Sequence, residues 1–127
     1  MNQVVVALGS NIEPDIYIPR AINFLSREWQ CLKESSLVVT SPLGIRDQPD
    51  FTNGVVLLAT PLEKRSFKAR LKEIEVLLGR QKRTEKWGPR EIDLDVLIWN
   101  GEVVNKDYKD RAFLRKAVTQ VLPAFSR

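Results

Sequence analysis

Ile92-Asp93-Leu94-Asp95-Val96-Leu97-Ile98-Trp99 is the stretch that decides the fold. Its apolar and polar residues alternate, the pattern of a β-strand in which residues two apart share a face. Ile92, Leu94, Val96 and Ile98 then look toward a core, and Asp93 and Asp95 stand together on the other side. Directly after it, Asn100-Gly101 offers a tight hairpin turn into Val103-Val104.

Upstream of this strand, Thr60-Pro61-Leu62-Glu63 supplies a capping threonine, a proline for the first helical position and a glutamate to close a capping box. The helix that follows buries Phe67, Leu71, Ile74 and Leu78, and Gly79 suits a left-handed stop. Val55 to Ala59 and Leu37 to Thr40 are aliphatic and β-branched, so they read as strands, joined by a long loop carrying Pro42, Gly44 and Pro49. Ile18, Ile22, Leu25 and Trp29 recur at helical spacing, giving a helix from Tyr17 to Trp29 that tolerates Pro19 only in its first turn. Val4 to Leu8, ended by Gly9-Ser10-Asn11, is a buried central strand, and Asp110 to Leu122 a final helix. The order strand, helix, strand, strand, helix, strand predicts an α+β, ferredoxin-like split βαβ fold. Its antiparallel sheet carries helices on one main face, in a single domain over residues 1–127.

Composition narrows the function. A chain of 127 residues, 43% hydrophobic and 28% charged, is sized for one core. Lysine and arginine outnumber aspartate and glutamate, 20 to 16, and the sequence pI is about 9.4. That balance suits an anionic partner such as a nucleotide phosphate, or equally an ordinary basic surface. With one cysteine, Cys31, and no histidine, an internal disulfide and a Cys/His zinc site are both excluded, so any metal must be held by oxygen. No apolar run approaches the roughly 20 residues of a spanning helix and the amino end lacks a secretory pattern, so the expected location is cytoplasmic.

Asp93 and Asp95, about 6–7 Å apart at their Cα atoms if both lie in one strand, repel each other unless a cation sits between them. Such a pair can hold one or two magnesium ions, or simply face solvent on an open sheet. Arg80, Lys82, Arg83, Lys86 and Arg90, interleaved with Trp87-Gly88-Pro89, converge on the aspartates from upstream. Cations next to a magnesium site suit a polyphosphate, although a charge run is often only a solvated loop. A Walker-type glycine-rich loop is missing, so ATP, if bound, is held by another design.

Ala7-Leu8-Gly9-Ser10-Asn11, Asp47-Gln48-Pro49-Asp50-Phe51-Thr52-Asn53, Gly79-Arg80 and Trp87-Gly88-Pro89-Arg90-Glu91-Ile92-Asp93-Leu94-Asp95 together resemble the 6-hydroxymethyl-7,8-dihydropterin pyrophosphokinase family, from Val4 to about Pro123. The resemblance implies a folate-pathway transferase that moves diphosphate from ATP to the hydroxymethyl group of a reduced pterin and releases AMP. It implies that Asp93 and Asp95 ligate two Mg2+ ions and, with Arg80 and Arg90, form the catalytic set. It places Glu75, Lys82, Trp87, Ile98 and Arg111 around ATP. It makes Phe51 and Phe113 the aromatic walls of a pterin slot, Asn53 its hydrogen-bonding reader, and Thr40, Pro42, Leu43 and Gly44 its frame. The implied partners are ATP and a reduced pterin, with neither nucleic acid nor membrane, in a monomer or homodimer.

The sequence departs from the family in two places. A Pro-His type segment expected between hairpin and last helix is replaced by Val104-Asn105-Lys106-Asp107-Tyr108, where Lys106 is the candidate positive donor, and the chain ends near Ala124-Phe125 without the longer relatives' carboxyl extension. Two rival readings follow. One is a paralogue that binds ATP or pterin with weakened transfer. The other is an RNA-binding ferredoxin-like domain, which the two aspartates on the open sheet face oppose.

Overall fold

The computed structural model describes residues 1–42, 47–81 and 88–126. Its first strand, β1 (Asn2–Ser10), is the centre of a wholly antiparallel sheet. Helix α1 (Pro14–Glu28) leads to two short strands, β2 (Gln30–Glu34) and β3 (Val38–Thr40). These pair with successive halves of the long β4 (Phe51–Thr60), which lies along β1. Helix α2 (Lys64–Leu77) returns the chain to β5 (Asp93–Trp99) on the other side of β1. The hairpin strand β6 (Glu102–Val103) completes the order β2-β4-β1-β5-β6. Helices α3 (Asp107–Asp110) and α4 (Ala112–Val121) close the chain before a final 3-10 turn. The α+β split arrangement, with β1 between β4 and β5, is the one the element order predicts.

Two apolar clusters occupy opposite faces of the sheet. Val4, Val6 and Leu8 of β1, Val56 and Leu58 of β4, and Leu94 and Val96 of β5 meet Ile18 and Leu25 of α1 and Phe67, Leu71 and Ile74 of α2. Trp29, Phe67 and Trp99 form an aromatic file there, with ring centroids 4.4 and 5.8 Å apart. On the other face Val5, Val55, Leu57, Leu97 and Ile98 receive Leu114, Val118 and Val121 of α4. Helix α4 covers that part of the second face, and among the described residues no other helix covers the rest.

Several local expectations are corrected by longer-range pairing. Ile98 does not share the face of Ile92, Leu94 and Val96. Val5 pairs with Ile98 but Val6 with Val96, so Leu97 is an extra residue in β5, and the bulge turns Ile98 into the second cluster. Thr60 is not a helix cap. The β1 ladder runs to Asn2 opposite Thr60, which holds Thr60 as a strand residue, and its Oγ1 accepts the Leu62 N–H at 3.1 Å. Helix α2 starts after an extended Glu63 whose side chain makes no cap. Helix α1 starts at Pro14, so Pro19 lies inside it and beyond its first turn. Pro19 is exposed, which leaves the carbonyl it cannot serve open to water. Strand β2 has no apolar alternation to announce it, and the final helix breaks at an extended Arg111 into α3 and α4.

Other turn chemistry is as read. Asn100 (φ 48°) and Gly101 (φ 84°) both take the positive φ of a type I′ hairpin. Gly79 (φ 104°) ends α2: its N–H reaches the Val76 carbonyl at 3.0 Å and the Arg80 N–H reaches the Glu75 carbonyl at 3.0 Å, a paired stop that fixes the exit of Arg80. Among the described residues no helix is long and apolar enough to cross a membrane.

Phe67 is wholly buried at the centre of the aromatic file. Phe67→Ala is expected to cost about 3–5 kcal/mol, read as a lowered denaturation midpoint in urea with an unchanged slope.

Candidate active site

Strand alternation puts Ala7 and Gly9 of β1, Phe51 and Asn53 of β4, and Asp93 and Asp95 of β5 on the face that α4 leaves partly open. Gly9 pairs with Asn53 on one side and Asp93 on the other, and Ala7 pairs with Asp95. Asn53 and Asp93 are therefore two strand spacings apart, roughly 10 Å. A cavity of about 460 Å³ stands over this floor. Thr40, Phe51 and Asn53 line it from the β3–β4 side, Asp93, Asp95, Arg80 and Arg90 from the β5 side, and Arg111 and Phe113 from the start of α4.

Glycine at position 9 is needed for that floor. A Cβ there would lie 3.2 Å from Asn53 Oδ1, close enough to push the amide aside. The Asn53 amide is oriented by its donor end: Nδ2 donates to Thr40 Oγ1 at 2.8 Å. Its Oδ1 is the end that lies over Gly9, so the cavity receives an acceptor.

A chain of alternating charges runs beneath the β5 side. Glu75 of α2 is only 3% exposed and its carboxylate holds three partners together. Its Oε2 accepts the Leu94 N–H at 2.7 Å and Lys72 Nζ at 3.0 Å, and its Oε1 accepts Arg80 Nη1 at 2.7 Å. The same Arg80 nitrogen donates to Asp93 Oδ1 at 3.0 Å. Lys72 Nζ also donates to the Leu94 carbonyl at 3.0 Å and lies 3.4 Å from Asp95 Oδ1. Burial pulls the Lys72 ammonium toward its neutral form, but Asp95 and Glu75 outweigh this and hold its pKa above the ordinary lysine value.

Asp95 is pushed the other way for a carboxyl group. Burial first, and the charge of Asp93 second, raise its pKa against the opposing pull of Lys72. Two carboxylates on one face, one of them raised by the other, fit a hard divalent cation, whose charge relieves both costs. An all-oxygen pair whose shell is completed by water and phosphate suits magnesium. Among the described residues no three or more acidic, cysteine or histidine side chains gather into a larger metal cluster.

Arg90 reaches the cavity from a segment tied to β1. Asn11, 3% exposed, accepts the Arg90 N–H on its Oδ1 at 2.8 Å while its own N–H reaches the Arg90 carbonyl at 3.1 Å. Asn11 Nδ2 also donates to Gln48 Oε1 and to the Pro49 carbonyl, at 2.8 and 3.0 Å. One buried amide thus joins the loop before β4 to the loop before β5. Arg111 sits 3.7 Å from Asp107, its partner one helical turn back.

Of the residues singled out from sequence, nine line this cavity: Thr40, Phe51, Asn53, Arg80, Arg90, Asp93, Asp95, Arg111 and Phe113. Glu75 lies under it rather than in it, and Ile98 is buried in the second apolar cluster, 1% exposed. Pro42 is half-buried and does not line it. Leu43, Gly44, Lys82 and Trp87, with Arg83 and Lys86, lie outside the described residues. Asp107 and Asp110 at the rim, Lys72 beneath it and the bridging role of Asn11 were not found from sequence. The i, i+3 spacing of Lys72 and Glu75 on one helix was the available signal for Lys72.

An acidic pair beside convergent arginines, in a cleft with two aromatic side chains on an α+β sheet, is an arrangement chemically suited to a phosphate-bearing ligand. The chain belongs to the 7,8-dihydro-6-hydroxymethylpterin-pyrophosphokinase (HPPK) family, which it matches over residues 5–123. It is 39% identical over 108 residues to a 2-amino-4-hydroxy-6-hydroxymethyldihydropteridine pyrophosphokinase of Pseudomonas aeruginosa, covering 83% of this chain and 66% of that protein. It is 36% identical over 105 residues to the protein of the same name from Aquifex aeolicus, covering 82% and 65%. A bifunctional protein FolKE of Lactococcus lactis is 32% identical over 133 residues, covering 96% of this chain and 38% of that one. The chain spans just under two thirds of the length of the first two relatives.

The raised Asp95 sets a pH dependence. The folded state keeps the Asp95 proton at pH values where the unfolded chain has released it, so the ionised group costs stability above its raised pKa and the cost vanishes as pH falls through it. In metal-free protein Asp95→Asn is expected to melt above wild type at neutral pH, with the gap closing on acidification; calorimetry across the pH range checks this.

Proposed function

We propose that this chain transfers the terminal diphosphate of ATP to the hydroxymethyl group of 6-hydroxymethyl-7,8-dihydropterin, giving AMP and the pterin diphosphate. The observation that carries the reading is the floor of the cavity, where the acidic pair and an oriented asparagine lie on one sheet face with Gly9 between them. That spacing is on the scale of a bicyclic heterocycle with its hydroxymethyl arm directed at the aspartates.

Asn53 Oδ1 would accept a hydrogen bond from the amide-like edge of the pterin, while its NH2 stays on Thr40. Phe51 and Phe113 would hold the ring by stacking and exclude water around it. The pterin hydroxyl oxygen attacks the β-phosphorus and gives up its proton to water, the bond from that phosphorus to the α–β bridging oxygen breaks, and AMP departs with that oxygen. Arg80, Arg90 and Arg111 would orient the polyphosphate and compensate charge that gathers on its oxygens. Asp93 and Asp95 would hold magnesium, two ions in this reading, which when bound supplies charge neutralisation at the phosphoryl oxygens. The Glu75 chain keeps Arg80 and Asp93 in register before any ligand arrives.

A second reading is favoured by the lack of any histidine: a weakened paralogue that binds ATP or pterin but transfers slowly. Incubation with ATP and the hydroxymethyl pterin, with and without Mg2+, separates the two by AMP release. Magnesium-dependent AMP formation is expected for wild type and its loss for Asp93→Ala and Asp95→Ala. Binding of both ligands without AMP selects the second reading, and wild-type turnover in either mutant defeats the metal assignment.

Phe51→Ala is expected to weaken pterin binding by about tenfold, the equivalent of one lost aromatic stack, and ATP binding far less. Isothermal titration with each ligand measures both, and equal weakening would make Phe51 a scaffold residue.

A further inference from the structure

Among the described residues no strand pairs with the outer edge of β5 over its first residues, because β6 pairs only with Ile98 and Trp99. Side chains of α2 take the place of a neighbouring strand there. Glu75 accepts the Leu94 N–H and Lys72 donates to the Leu94 carbonyl, 2.7 and 3.0 Å away. The lysine that caps this edge also extends to Asp95, 3.4 Å away, on the cavity face. Arg80 does the same for Asp93 at 3.0 Å. Each aspartate of the acidic pair therefore already has a cation of its own, and three carboxylates face two positive side chains.

We propose that Lys72 is a resident counter-ion that competes with a divalent cation for Asp95, so that metal loads onto this site together with nucleotide and poorly by itself. The inference rests on the magnesium reading of Asp93 and Asp95. Within this bonded network of Glu75, Asp93, Asp95, Lys72 and Arg80, which carries one net negative charge, a free divalent cation must displace the ammonium from Asp95 and leaves a local excess of positive charge. A polyphosphate brings the negative charge that removes the excess, and the displaced ammonium keeps its bonds to Glu75 and the Leu94 carbonyl. Arg80 cannot fill this role as readily, because its guanidinium is held by the buried Glu75 at 2.7 Å and its backbone N–H by the paired stop after Gly79. The Lys72 side chain is more than half exposed, so its removal leaves the core intact.

The test uses Mn2+ as the probe, followed by the electron paramagnetic resonance signal of the free ion, with no nucleotide present. Lys72→Gln is expected to bind Mn2+ about three- to tenfold more tightly than wild type, the size of removing one partly screened charge at this range. Lys68→Gln, one turn earlier on the same helix and exposed, is expected to match wild type. With an ATP analogue whose α–β bridge is methylene, the advantage of Lys72→Gln is expected to disappear. Equal Mn2+ affinity in wild type and Lys72→Gln without nucleotide overturns the proposal, as does an equal gain in Lys68→Gln. Asp95→Asn separates the two levels: if it binds Mn2+ as wild type does, the metal reading itself fails, whereas lost binding there with no change in Lys72→Gln removes only the role of Lys72.

Discussion

The site depends on one buried carboxylate. Glu75 is charged, almost wholly removed from water, and stable there because a backbone N–H, an ammonium and a guanidinium all point at it. An ionised group in such a place is tolerated only with this degree of pairing, and removing any one partner leaves part of its desolvation uncompensated. What the arrangement secures is position. Leu94 lies between Asp93 and Asp95, so anchoring its N–H to α2 fixes the strand at the point where both acids emerge. Arg80, held by its side chain and by the turn at Gly79, has little freedom left when a polyanion arrives.

The sheet does two jobs with its two faces. Helices α1 and α2 cover one face with a continuous apolar cluster, which carries the stability. The other face is shared between α4 and the cavity, and the bulge at Leu97 marks the border. Beyond it toward the hairpin, Leu97 and Ile98 both serve α4; before it, Asp93 and Asp95 face open space. A strand of strict alternation would have placed Ile98 under α1 and α2 and given α4 less to pack on.

Much of this was legible in the amino-acid order because the decisive signals are local. The alternation of Ile92 to Val96, the stripe of Phe67, Leu71 and Ile74, and the positive-φ residues Gly79 and Asn100-Gly101 state their structure within a few neighbours. What failed was what distant pairing controls. Thr60 is a competent cap overruled by the β1 ladder, β2 is a strand only because β4 has a free edge, and the bulge at Leu97 exists only in relation to Val5 and Val6. In the site, the acid pair, Arg80, Arg90, Arg111, Asn53, Thr40, Phe51 and Phe113 could be named from their motifs and the resemblance these carry, and all nine share a cavity. Lys72 and Asn11 could not be assigned their contacts, since these depend on where the edge of β5 and the loop before β4 come to lie.

The same contacts that organise the charges also guard a border of the sheet. A strand whose outer N–H and C=O groups are unmatched invites another chain to zip onto it, and small α+β domains are vulnerable wherever such a margin is left. Here Lys72 and Glu75 occupy the two backbone groups of Leu94 that a foreign strand would seek. A helix stripped of this pair would leave that margin unmatched, so the pair has a protective value independent of any chemistry in the cleft.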